Sequence, residues 1–133
     1  MVNLLNGIGD CKMKLNHFVP KEFKCKCGKC GLGYENMDAA LLLKIDRARE
    51  LAGVPFRVNS AVRCEDHNAK VGGKPDSAHI GGFAVDIAAI DSHTRFKIMK
   101  ALFDVGFKRI GINPRFIHVD VDDDKPQEVL FLY

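Results

Sequence analysis

Apolar positions recur at helical spacing between residues 36 and 52. Met37, Leu41, Ile45, Ala48 and Ala52 follow one another at steps of three and four, which predicts a core helix. Asn36 offers an N-cap, Gly53 a stop, and Pro55 stands just outside. Phe56 to Val62 alternates β-branched and polar residues and reads as a strand. A loop of about 15 residues, Arg63 to His79, then breaks the pattern; loops of that length tend to be functional. Phe83 to Ile90 is an apolar run, a buried strand interrupted only by Asp86. Asp91 and Ser92 offer a second helix start; Phe96, Met99 and Phe103 mark one face, flanked by Ile98 and Leu102, and Gly106 ends it. Phe107 to Ile112 is a strand, Asn113-Pro114 a turn, and Arg115 to Val121 another strand. Its period of two puts Phe116, His118 and Asp120 on one face and Ile117, Val119 and Val121 on the other. Glu128 to Tyr133 reads as a last strand. The sum is an α+β fold, two main helices on a mostly antiparallel sheet. Residues 1–20 are poorly defined: Gly7, Gly9 and Pro20 break them, and only Leu4, Leu5 and Ile8 suggest a short amphipathic segment.

Composition narrows the class. At 133 residues the chain is expected to form one domain with a real core, and 47% hydrophobic with 28% charged residues suits a soluble globular protein. A net charge of +3 does not by itself point to nucleic acid. No apolar run approaches the ~20 residues of a membrane span. The N-terminus lacks the charged start and apolar block of a secretory signal. Synthesis in the cytoplasm is therefore expected, with release by other means if the protein acts outside, and a monomer is expected.

The five cysteines, at 11, 25, 27, 30 and 64, are odd in number, so they do not form a fully paired disulfide set within one chain. Residues 22–31 form a Cys/Lys-rich segment, expected to be a small hairpin. Cys25, Cys27 and Cys30 could hold a second zinc, with Cys11 or His17 as fourth ligand. Structural zinc wants four ligands, commonly as two close pairs, and only one such pair, Cys27-x2-Cys30, exists here, so free thiols are the preferred reading. Lys21, Lys24, Lys26 and Lys29 would lower thiol pKa values and raise reactivity. The acidic cluster Asp120, Asp122, Asp123 and Asp124 lacks the calcium-loop pattern and reads as a solvated turn.

One stretch concentrates the chemistry. His79 follows a loop and precedes Gly81 and Gly82, while Asp86 lies inside a strand where an unpaired carboxylate is costly. A metal or an arginine would resolve that cost. His118 supplies a third donor on another strand, and two His with one carboxylate and an open position is a catalytic zinc arrangement. Arg63 stands at a strand end, where it either points into a cleft or forms a surface salt bridge.

Ser77-Ala-His-Ile-Gly-Gly-Phe-Ala-Val-Asp86 closely resembles the Ser-x-His-x-x-Gly-x-Ala-x-Asp motif of the zinc D-alanyl-D-alanine carboxypeptidase family, which includes phage endolysin peptidases and shares its fold with the hedgehog signalling domain. Asn59 to Arg63, His67 to Gly73 and Phe116 to Asp120 resemble the family's flanking motifs, so the likeness runs from about Phe18 to Val121. The resemblance implies a zinc cleft on the sheet, with His79, Asp86 and His118 as ligands. It gives Arg63 a role in substrate binding or oxyanion stabilisation, and Ser77 one in orienting the loop or a ligand. Many relatives carry an acidic general base three positions before the last His; here that position is Arg115. Asp120 is the expected substitute, the alternative being that Asp120 ligates zinc and His118 does acid–base work. The implied reaction is hydrolysis of peptidoglycan stem or cross-link peptides containing D-amino acids, by a carboxypeptidase or endopeptidase such as a phage endolysin acting on the wall after release. Two rivals remain. One is a non-catalytic zinc domain of the same fold with a structural or wall-binding role, favoured by Arg115. The other is a cysteine-knuckle nucleic-acid module, disfavoured by the shortage of stacking aromatics.

Overall fold

A computed structural model describes residues 14–133. The amphipathic reading of Leu4, Leu5 and Ile8, and Cys11, lie outside the described residues. Five strands form one sheet in the order β1-β2-β4-β3-β5: β1 Val58–Ser60, β2 Ala84–Ala88, β3 Arg109–Ile112, β4 Phe116–Asp120 and β5 Val129–Leu132. All neighbours are antiparallel except β3 and β5, which run parallel. Two long helices, α1 Ala39–Ala52 and α3 Ser92–Asp104, pack on each other, and α2 Glu65–Lys70 is a short third. The chain thus has the expected α+β class.

Pairing register explains how one sheet serves two purposes. Val85 lies opposite Val119 and Ile87 opposite Ile117, and these join Ile110, Leu41, Ile45, Ile98 and Leu102 in the core. Because side chains alternate across a strand, the intervening Asp86, His118 and Asp120 emerge on the other face. The helix positions read from Met37, Leu41, Ile45, Ala48 and Ala52 are all buried.

Local chemistry moves several expected boundaries. The N-cap of α1 is Asp38, not Asn36, because its carboxylate accepts the Leu41 N–H at 3.0 Å. Asn36 instead ends the 3-10 turn Tyr34–Asn36 and accepts from Gly33 N–H. On α3 the buried face is Ile98, Ala101 and Leu102; Phe96 and Phe103 are exposed. Large aromatics drew the helical stripe to the wrong side. The strand expected over residues 56–62 pairs only at Val58–Ser60, with an irregular register there. The long loop after Arg63 contains α2, N-capped by the Cys64 sulfur. The segment over residues 22–31 is not a β-hairpin but a series of turns closed by Cys25 N–H to the Leu32 carbonyl at 2.9 Å. Among the described residues no helix is long and apolar enough to cross a membrane.

Candidate metal centre

His79 sits on a loop braced from several sides. Its N–H donates to Ser77 Oγ at 3.2 Å, and its carbonyl accepts from Arg63 N–H at 3.0 Å and Gly82 N–H at 3.2 Å. Gly82 has φ +78°, and a Cβ there would collide with the Asn36 carbonyl. Its own carbonyl accepts from Asp38 N–H at 2.9 Å, so the turn is seated on the start of α1. Only glycine satisfies both the backbone angle and the close approach. Asp86 and His118 face each other directly in the β2–β4 register.

These positions bring His79, Asp86 and His118 together, all buried, with ligand atoms within 4.8 Å of one another. The donor pattern tests whether a metal belongs there. His79 Nδ1 lies 2.7 Å from the Ala61 carbonyl, which fixes its proton on Nδ1. Its Nε2 lone pair then faces Asp86 Oδ1 at 3.2 Å. His118 Nε2 lies 2.7 Å from Asp120 Oδ2, and its Nδ1 lies 2.9 Å from the same Asp86 Oδ1. With each imidazole neutral and oriented by its outer partner, three lone pairs converge on one point. Such an arrangement needs a proton or a cation between them, and the set of two imidazoles and a carboxylate suits zinc. Burial works to raise the Asp86 pKa, but the neighbouring His118 and His79 rings outweigh it and hold the carboxyl at about 2. Burial alone would lower the His118 pKa; its bonds to Asp120 and Asp86 reverse this and raise it.

Arg63 is not an exposed salt bridge. It is buried, and its Nε donates to Ser60 Oγ, its Nη1 to Asn68 Oδ1 (both 3.0 Å), and its Nη2 to Asp86 Oδ2 at 3.4 Å. Ser77 lines the same cleft, a space of about 730 Å³ that also touches His118, Asp120 and Tyr133. Its rim carries Lys74, Asp76 and Lys125, and Lys125 Nζ donates across to the Asp76 carbonyl at 2.6 Å. A cleft of similar size between residues 14–20 and Tyr34–Glu35 is lined by none of the three ligands, and neither cluster of potential metal ligands found among the described residues lies in it.

Asp120 is buried, and both its oxygens are engaged: Oδ2 by His118, and Oδ1 by Arg109 Nε at 2.7 Å and by Asp122 N–H at 3.1 Å. Arg115 is exposed. Four site residues carry roles that the sequence did not show. Asn68 holds Arg63 and donates to the Lys74 carbonyl at 2.8 Å; a Cβ on Gly73 would strike its amide, so Gly72-Gly73 was the available signal. Arg109 opens an otherwise apolar strand, a weak sign of a buried partner. Tyr133 and Phe131 stack around the His118 ring at 5.2 and 5.7 Å, above Gly111, whose position a Cβ would deny to both rings. Nothing local marks β5 for that role.

Cys25, Cys27 and Cys30 also gather, but with Cys64. His17, the proposed fourth ligand, turns instead toward Glu50 at 3.7 Å.

Among curated proteins none matches this chain. The family described as Peptidase M15 matches residues 16–120, a span holding His79, Asp86, His118, Arg63 and Asp120. It is a family of zinc-dependent peptidases that act on peptidoglycan. The match covers most of the chain, which belongs to the M15 peptidase family.

Proposed function

We propose that this chain hydrolyses peptidoglycan stem or cross-link peptides containing D-amino acids, as a carboxypeptidase or endopeptidase of the kind found in phage endolysins. The observation that carries the proposal is the convergence of His79 Nε2, His118 Nδ1 and Asp86 Oδ1 beside a cleft that Arg63 also lines. These three residues would hold one zinc, which when bound supplies Lewis acidity toward a peptide carbonyl and toward water. Arg63, fixed by Ser60, Asn68 and Asp86, presents a cation to negative charge developing on the carbonyl oxygen or to a substrate carboxylate. Lys74 and Lys125 on the rim add to the attraction for the carboxylates of stem peptides. Ser77 orients the His79 loop through the His79 N–H.

For Asp120 the bonding pattern supports a positioning role rather than the expected proton transfer. It holds His118 in the tautomer that leaves Nδ1 free, and its bonds to His118, to the Asp122 N–H and to Arg109 outweigh burial and lower its pKa. The rival reading, a zinc domain of this fold without turnover, draws on the same fact: both oxygens of Asp120 are already engaged, by His118, Arg109 and the Asp122 N–H. Incubating the zinc-loaded protein with purified peptidoglycan and counting new amino groups tests the proposal. Release that disappears with chelator, returns with zinc and is absent in His79→Ala supports it. A zinc-replete, folded protein that releases nothing from peptidoglycan or from synthetic stem peptides overturns it in favour of the rival.

A further inference from the structure

The lysine-rich turns at residues 25–32 and the residue after Arg63 meet in a second cluster that the reaction above does not use. Cys25, Cys27, Cys30 and Cys64 place all four sulfur atoms within 4.8 Å of one another, and Cys25 Sγ lies 3.9 Å from Cys64 Sγ. Tetrahedral zinc with Zn–S bonds of about 2.3 Å requires sulfur atoms roughly 3.8 Å apart. A disulfide would need about 2.05 Å, and all four cysteines are unpaired.

The backbone around the cluster is arranged for thiolates. Every one of the four sulfurs accepts at least one backbone N–H: Cys25 from Cys64, Cys27 from Lys29 and Cys30, Cys30 from Leu32, and Cys64 from His67, at 3.3 to 3.4 Å. Amides aimed at sulfur are the outer-shell bonds that stabilise metal-bound thiolates. Gly28 and Gly31, with φ of +77° and +82°, allow Cys27-Gly-Lys-Cys30-Gly to curl so that these amides point inward. Four thiolates around a dication carry a net charge of −2, and Lys24, Lys26 and Lys29 supply neighbouring positive charge. The lysines that suggest a chemical liability in an isolated thiol fit a role as counter-charges here.

We propose that Cys25, Cys27, Cys30 and Cys64 bind a second, structural zinc. Cys64 is the ligand the linear pattern conceals, 34 residues beyond Cys30 (64 minus 30) and outside any Cys-x2-Cys pair. It also caps α2 and follows Arg63 directly, so the metal ties the N-terminal turns to the segment that aims Arg63 at Asp86. The inference stands on the cysteine cluster alone and is independent of peptidase activity.

The test counts metal in protein purified with reductant and without chelator. Wild type should carry two zinc ions per chain and His79→Ala/His118→Ala one. Cobalt exchanged into that double variant should give an intense thiolate-to-cobalt charge-transfer band. Adding Cys27→Ser and Cys30→Ser should remove both the remaining metal and the band. Because losing the site can unfold the turns, Cys30→His serves as a ligand swap: it should keep one zinc in the same background with a weaker charge-transfer band. The proposal is overturned if the double variant binds no metal and its four thiols react freely in the native protein, or if they are isolated as disulfides with no cobalt band. If wild type and double variant both hold one zinc and both show the band, this site stands and the His79–Asp86–His118 centre falls.

Discussion

His118 joins two carboxylates through its two nitrogens, and the difference between them sets what substitutions should do. Asp86 meets the nitrogen that faces the metal position; Asp120 meets the one that faces away, toward Arg109. Asp120→Asn should therefore weaken zinc binding about 10–100-fold, the usual scale for an outer-shell partner. Turnover at saturating zinc should stay within a few-fold. Chelator competition and peptidoglycan digestion measure the two quantities separately. A fall of ~10²–10⁴ in turnover at unchanged affinity would instead assign Asp120 the proton transfer itself. Arg63→Lys should show the opposite split. Lysine cannot satisfy Ser60, Asn68 and Asp86 at once, so full zinc content with a loss of about 10²–10³ in turnover is expected.

Elements hold these residues by seams rather than by bulk burial. The turn after His79 rests on the first turn of α1 through Gly82. Gly82→Ala would meet both an unfavourable left-handed φ, worth ~1–2 kcal/mol, and the Asn36 carbonyl. Urea unfolding of the metal-free variant should show at least that loss, with zinc affinity reduced because His79 shifts. The same seam shows what was legible in the chain. Gly81-Gly82 between His79 and Asp86 announced a turn that could fold one toward the other, and period-two alternation on β4 put His118 and Asp120 on one face; that this face meets Asp86 follows only from the β2–β4 register. Helix α1 was readable from its small and aliphatic stripe. On α3, Phe96 and Phe103 suggested a buried face that Ile98, Ala101 and Leu102 in fact occupy. Pattern alone does not say which of two apolar stripes has a partner. Arg109, Asn68 and Tyr133 stayed hidden for a related reason: their roles depend on contacts between segments distant in sequence.

At the scale of the molecule, the buried charges couple stability to pH. The Asp86 pKa is held at about 2 against an ordinary 3.8, so its contribution is present above about pH 4 and lost as pH falls toward 2. The His118 pKa is raised above 6.5, so its contribution is full below that value and fades as pH climbs through the higher folded pKa. Metal-free protein should be best protected by this cluster between about pH 4 and 6.5. Zinc binding at this site would compete with protonation of His118, so the rise in melting temperature that zinc confers should grow as pH rises. Melts with and without chelator at stepped pH test this; a zinc shift that shrinks from about pH 6 to about pH 8 would contradict the raised His118 pKa. The bridge from Lys125 to the Asp76 carbonyl has a different kind of consequence. It ties the turn after β4 to the loop that precedes His79 along one wall of the groove, so Lys125→Ala should loosen two lining segments at once.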